Sequence, residues 1–110
     1  MQVNVSARHG HLKQDDQAII VEKVERVRRL FDRINSIDVT VDLGHQERPN
    51  VEINVSAEHS PDFVASTESQ SILAALDLTI AKVEQQIRKH KEKVTDHKAE
   101  SVKYTGGESV

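Results

Sequence analysis

Cysteine is absent from this chain, which excludes disulfide staples, thiolate metal sites and a cysteine nucleophile. Aromatic residues are nearly absent too: Phe31, Phe63 and Tyr104 are the whole set. The core must therefore be built from Val, Ile, Leu and Ala. The same scarcity argues against reading single strands by stacking bases on aromatic platforms. No apolar run is long enough to span a membrane, and the first residues turn polar within a few positions, unlike a signal peptide. A cytoplasmic protein with no membrane partner is expected. Nor does a phosphate-cradling glycine loop, a placed nucleophile or an enclosing pocket stand near the one acidic pair, Asp15-Asp16. An enzyme is therefore not expected, and neither is a cofactor or a small-molecule substrate.

What the chain has in quantity is patterned charge. Its 110 residues are enough for one domain, and the formal net charge is −3. That excess of acid hides a strong polarity. From Asp38 to Glu68 seven acids (Asp38, Asp42, Glu47, Glu52, Glu58, Asp62 and Glu68) face one base, Arg48. From Lys23 to Arg33 five bases face two acids, and from Lys82 to Lys93 five bases again face two acids. The local field decides what a surface attracts more than net charge does.

The apolar pattern says where those charges sit. Residues 2–7 alternate polar and apolar, the period of a half-buried strand. From Gln14 a helical period takes over: Ile20, Val24, Val27, Phe31 and Ile34 share one face, and Asn35-Ser36 is expected to end the helix. Lys23, Arg26, Arg29 and Arg33 then fall on one flank of it. Asp15 or Asp16 would favour the first turn. Residues 37–43, 51–57 and 63–67 read as three further strands joined by polar turns. The last helix is expected over residues 69–98, with a seam of Leu73, Leu76, Ile80, Val83, Ile87 and Val94 within a stripe about 80° wide. Thr67 with Gln70, or Ser69, or Ser71, would cap it. Opposite that seam lie Lys82, Gln85, Lys89 and Lys93. At about 1.5 Å per residue such a helix outruns a small sheet, so its basic end, Arg88 through Lys93, should project past the core.

The order is β-α-β-β-β-α, an α+β class. It predicts a four-stranded mixed sheet, its first pair parallel, with both helices packed on one face and an acidic, solvated face behind. This arrangement is related to that of double-stranded-RNA-binding modules. Residues 1–98 form the expected domain, and 99–110, with Gly106-Gly107, a flexible tail.

Phe31-Asp32-Arg33-Ile34-Asn35 followed by an alternating strand, then Ala74-Ala75-Leu76-Asp77, then Lys89-His90-Lys91-Glu92-Lys93, together resemble the ribosome hibernation promoting factor family, which includes the ribosome-associated inhibitor protein Y. The resemblance covers about residues 1 to 98 and implies the same fold. It also implies binding to rRNA of the small ribosomal subunit in the channel of tRNA and mRNA, with translation inhibited in stationary phase or stress. The family's RNA contacts carry over onto Lys23, Arg26, Lys82 and Lys89. Arg29, Arg33, Arg88, Lys91 and Lys93 complete the candidate RNA-binding set. Gln85 stands where the family often has a base, which removes a phosphate contact, with Arg88 or Lys93 as substitutes. Lys13 stands where the family usually has a capping threonine. Only 12 residues follow Lys98, so the resemblance is to the short form, without the extra dimerisation domain. A second small ribosome-dimerising factor is then a candidate partner.

Plainer readings compete with these. A charge run on a helix is ordinarily a solvated face; two such ridges on one expected face weigh against that. His9-x-His11 has only two ligands and no carboxylate or thiol company, so no metal site is expected. His90 and His97 share one side of the last helix and read as RNA-flank or surface residues. A protein-binding modulator of RNA polymerase and sigma-54 predicts weak salt dependence, RNA binding a steep one. A generic double-stranded-RNA module predicts binding to any A-form duplex.

Overall fold

The computed structural model describes residues 2–45 and 47–100. The elements run β1 (Gln2–Arg8), α1 (Gln14–Arg28), β2 (Ile34–Asp42), β3 (Asn50–Ala57), β4 (Phe63–Glu68) and α2 (Ile72–Glu100). The sheet order is β1-β2-β3-β4. β1 pairs parallel to β2, with Val3 opposite Ile37 and Val5 opposite Val39; the two later pairings are antiparallel. This is the expected architecture. Because side chains alternate across a strand, Ile37, Val39 and Val41, Val51, Ile53 and Val55, and Phe63 and Ala65 all point to one face and are buried. Both helices lie on that face. Ile20, Val24 and Val27 of α1 and Ala75, Leu76, Ile80, Val83 and Ile87 of α2 complete a single aliphatic core. Each fully buried Ile or Leu stabilises the fold by about 1.5–3 kcal/mol relative to exposure.

The sequence expectation for α1 is too long. The helix stops at Arg28, and Arg29 forms its C-cap, its N–H directed at the carbonyls of Arg26 and Val27. Phe31 lies in the following loop and Ile34 opens β2. Sheet pairing outweighs helical period here: Ile34 sits opposite Ala57, and the Glu58 N–H donates to the Arg33 carbonyl at 2.9 Å. A register shift between Ile34 and Ser36 breaks the two-residue alternation, so the strand start is masked in the sequence. Lys13 is the N-cap of α1 and makes no side-chain capping bond.

α2 begins three residues later than expected. Thr67 belongs to β4, and Ser71 is the cap: its hydroxyl oxygen accepts the Ala74 N–H at 3.1 Å. Leu73, expected on the seam, is 38% exposed; Ala75 and Thr79 are fully buried instead. The buried arc is therefore wider than the seam and displaced away from α1. Thr79 fits there because its hydroxyl donates to the Ala75 carbonyl at 2.7 Å, with the Val51 carbonyl at 3.1 Å. Of the expected tail 99–110, residues 99 and 100 belong to α2, and residues 101–110 lie outside the described residues, as do the side chains of Val94 and His97. At about 1.5 Å per residue α2 is some 43 Å long, against roughly 20–30 Å for the strands it covers.

Candidate nucleic-acid interface

Topology fixes the direction of the helices. Each runs antiparallel to the strand it follows, and β1, β2 and β4 share one direction, so α1 and α2 run parallel. The contacts between them climb in step: Lys23 Nζ to Asp77 Oδ1 at 3.0 Å, Arg26 to Glu84 Oε2 at 3.5 Å, and Lys91 Nζ to the Leu30 carbonyl at 2.8 Å. Asp77, Glu84 and Lys91 are spaced by seven, one stripe of α2. Parallel helices put both C-termini, the negative ends of their dipoles, at one end of the layer. Arg26 and Arg28 occupy the last turn of α1, and Arg88, Lys89, Lys91 and Lys93 lie alongside on α2. Asp15 and Asp16 sit in the first turn of α1, at the opposite end. Arg26 and Arg28 are thus favoured by the α1 backbone itself, whereas Arg88 through Lys93 lie at least seven residues before the end of α2 at Glu100.

The nine candidate side chains divide into two groups. Lys23, Arg26 and Lys91 are committed to the seam between the helices. Arg26 meets a carboxylate that is nearly buried, Glu84 being 8% exposed, which holds the guanidinium close to α2. Lys82, Arg88, Lys89 and Lys93 are exposed on α2, as are Arg29 and Arg33 beyond α1. Among the described residues none of these six forms an ion pair. Lys82, Lys89 and Lys93 share one stripe of α2, as the spacing predicts, but because Ala75 and Thr79 are buried that stripe flanks the buried arc on the side away from α1 and does not lie opposite it. Gln85 interrupts them and is exposed. Arg33 is not on the helical flank. Since α1 ends at Arg28, Arg33 sits in the loop before β2.

That loop builds a feature the spacing did not indicate. Residues 29–33, Glu58 and His59 of the β3–β4 turn, and His90 and Lys91 of α2 enclose an open cavity of about 550 Å³. Its floor is aromatic. The Phe31 and His90 rings meet nearly edge-on with centroids 5.9 Å apart, and Phe63 packs behind both, at 6.3 and 5.5 Å. Two of the three aromatics in the chain thus converge on one histidine. His90, expected as an RNA-flank or surface residue, is half-buried.

The opposite face of the sheet is polar. Asn4 donates to Asp38 across the β1–β2 pair at 2.8 Å, and Glu52 lies on the same face. At its edge Asp42 accepts the Gly44 N–H at 2.9 Å and pairs with His9 Nδ1 at 3.0 Å. The His9 contact, then the Gly44 N–H, hold the Asp42 carboxyl below the usual aspartate range. His9 therefore serves Asp42. Among the described residues no three metal-ligating side chains come together.

Comparison with known proteins places this arrangement. Residues 3–95 match the family model described as Sigma 54 modulation protein / S30EA ribosomal protein. A ribosome hibernation promoting factor of Pseudomonas putida is 32% identical over 93 residues, covering 84% of this chain and 89% of that protein. Two solved structures share the fold. One is a ribosomal subunit interface protein from Coxiella burnetii, with TM-score 0.75 and 22% identity over 84% of this chain and 99% of the other. The second is the N-terminal domain of Thermus thermophilus Protein Y, with TM-score 0.72 and 19% identity over 82% of this chain and 99% of that domain.

Proposed function

The chain belongs to the Sigma 54 modulation protein / S30EA ribosomal protein family, and on that footing we propose that it is a ribosome hibernation factor. In this reading it binds rRNA of the small ribosomal subunit with its helical face, occupies the tRNA and mRNA channel and inhibits translation in stationary phase or stress. Its place of action is then the cytoplasm. The observation that carries the reading is the set of six exposed cations, without an ion pair among the described residues, on and beside two parallel helices, on a fold shared with a subunit interface protein. Such side chains neutralise phosphates and release counterions, giving shape-based binding with little base readout. Lys23 and Arg26 hold the helices in register, and each meets a phosphate only by sharing it with, or exchanging it for, a carboxylate.

The acidic sheet face behind supports the same orientation. It repels phosphate and leaves one approach open. In this reading inhibition is by occupancy of the channel.

The test is co-sedimentation of the protein with purified ribosomes and separated subunits at two salt concentrations, beside Lys82→Glu, Lys89→Glu. Binding to the small subunit that weakens with salt and is lost in the double variant is expected. Binding indifferent to both changes would move the site off the helical face. Absence of binding at low salt would overturn the ribosome reading, and RNA polymerase with sigma-54 would become the partner to assay.

A further inference from the structure

We infer that the cavity at the basic end of the helix layer is a site for one ribonucleoside phosphate, its base lodged against Phe31 and His90 and its phosphate held by Arg29 and Arg33. The inference stands on the cavity and its lining and does not need the ribosome as partner. A volume of about 550 Å³ falls within the usual range of small-ligand sites. The lining has the three chemistries a nucleotide requires. Two guanidinium groups, from the α1 cap and the loop after it, present planar forks suited to phosphate oxygens. The rings of Phe31 and His90 offer π-surface, kept in place by Phe63 packed behind them. Glu58 and Asp32 are acceptors for ribose hydroxyls or exocyclic amines. Lys91 is anchored on the Leu30 carbonyl at 2.8 Å, which ties α2 to the loop and keeps the mouth formed without a ligand.

A nucleotide with these groups has two sources: a soluble mononucleotide, or one unit unstacked from an RNA chain and turned into the cavity. RNA recognition commonly splays out such a base onto an aromatic side chain.

The test uses the full chain, following the His90 imidazole and Phe31 ring protons by NMR during titration with AMP, GMP, CMP and UMP, and separately with inorganic phosphate. Saturable shifts of both side chains are expected with a mononucleotide, at a Kd of about 0.1–1 mM, where a single stacked base with one phosphate falls. Phe31→Leu, which keeps the core apolar, should raise Kd at least about fivefold, the low end of what one base-on-aromatic contact supplies. Arg33→Gln should do the same, and Glu52→Gln on the opposite sheet face should change nothing. Two RNA hairpins separate the sources. Displacement of AMP by a hairpin with one bulged nucleotide, but not by its fully paired counterpart, assigns the nucleotide to RNA. Binding of mononucleotides alone assigns a soluble ligand. Shifts reproduced by inorganic phosphate, or no saturable shift at about 10 mM nucleotide, would overturn the proposal. Neither of these two results would alter ribosome co-sedimentation, so the two readings fail separately.

Discussion

Replacing Lys82 and Lys89 by glutamine should flatten the salt dependence of ribosome binding by a calculable amount. Of the nine basic candidates, Lys23, Arg26 and Lys91 already hold protein groups. That leaves Arg29, Arg33, Lys82, Arg88, Lys89 and Lys93 for phosphates. With each phosphate contact contributing about −0.7 to −0.9 to the slope of log K against log salt, six contacts give about −4.2 to −5.4. Doubling the salt should then weaken binding by roughly 18- to 42-fold, and in the Lys82→Gln, Lys89→Gln protein by only about 7- to 12-fold. Asp77→Asn should act in the opposite sense. It frees Lys23, adds a seventh available cation and steepens the slope by somewhat less than about one. The Lys23–Asp77 pair is half exposed on both sides, so losing it costs the fold no more than about 1 kcal/mol. Binding, not folding, is what changes. The assay is sedimentation with purified ribosomes over a salt series at constant magnesium. Equal slopes for wild type and the double variant would refute the assignment of these lysines to phosphate contacts. A slope near zero for the wild type would refute counterion release altogether.

Other expectations concern the scaffold. Thr79→Val should destabilise by about 1–2 kcal/mol in urea unfolding, since it removes the donor to two buried carbonyls while keeping shape; an unchanged midpoint would mean those carbonyls lose nothing. Ile87→Ala should cost about 2–5 kcal/mol, because Ile87 is fully buried and is the last residue with which α2 is seen to enter the core. Asp42 should titrate below the ordinary aspartate range, and His9→Ala should bring its midpoint upward. The sign follows from the lowered value: the pair's contribution to stability is fully present above the unfolded carboxyl's range and is lost as pH falls toward the folded one. Carboxyl-carbon NMR would read both midpoints, and an identical value in the variant would remove His9 as the cause.

Much of this was legible beforehand because period and position coincide in simple strands. Val51, Ile53 and Val55 alternate without interruption and are buried as read. The ridge of Lys82, Lys89 and Lys93 also followed from spacing alone, since one helix carries it. The end of α1 did not. Phe31 and Ile34 continue the helical period by coincidence, and what ends the helix is pairing with β3, a partner some twenty residues away in the chain. Arg33 was displaced from the helical flank for that reason. The commitment of Lys23, Arg26 and Lys91 was equally hidden, because spacing gives the face of one helix and not what the neighbouring helix sets against it. The cavity needs three separate segments, 29–33, 58–59 and 90–91, and no single window of sequence contains it.

The position of α2 as the last described element bears on how the chain acquires its structure. β2, β3 and β4 are joined by short turns and form a local meander, but β1 must return across α1, and α2 packs on β3 and β4 only after all of them exist. Until α2 leaves the synthesising ribosome, the inner faces of Val51, Ile53, Val55 and Phe63 have no lid. Between the completion of β4 at Glu68 and the release of α2, the nascent protein therefore carries an open apolar sheet, a species prone to self-association. Lesions in Leu76, Ile80, Val83 or Ile87 should then show themselves as lost soluble yield before they show as altered ribosome binding. Expression level, compared across α2 variants at equal transcript, is where that lateness would be visible.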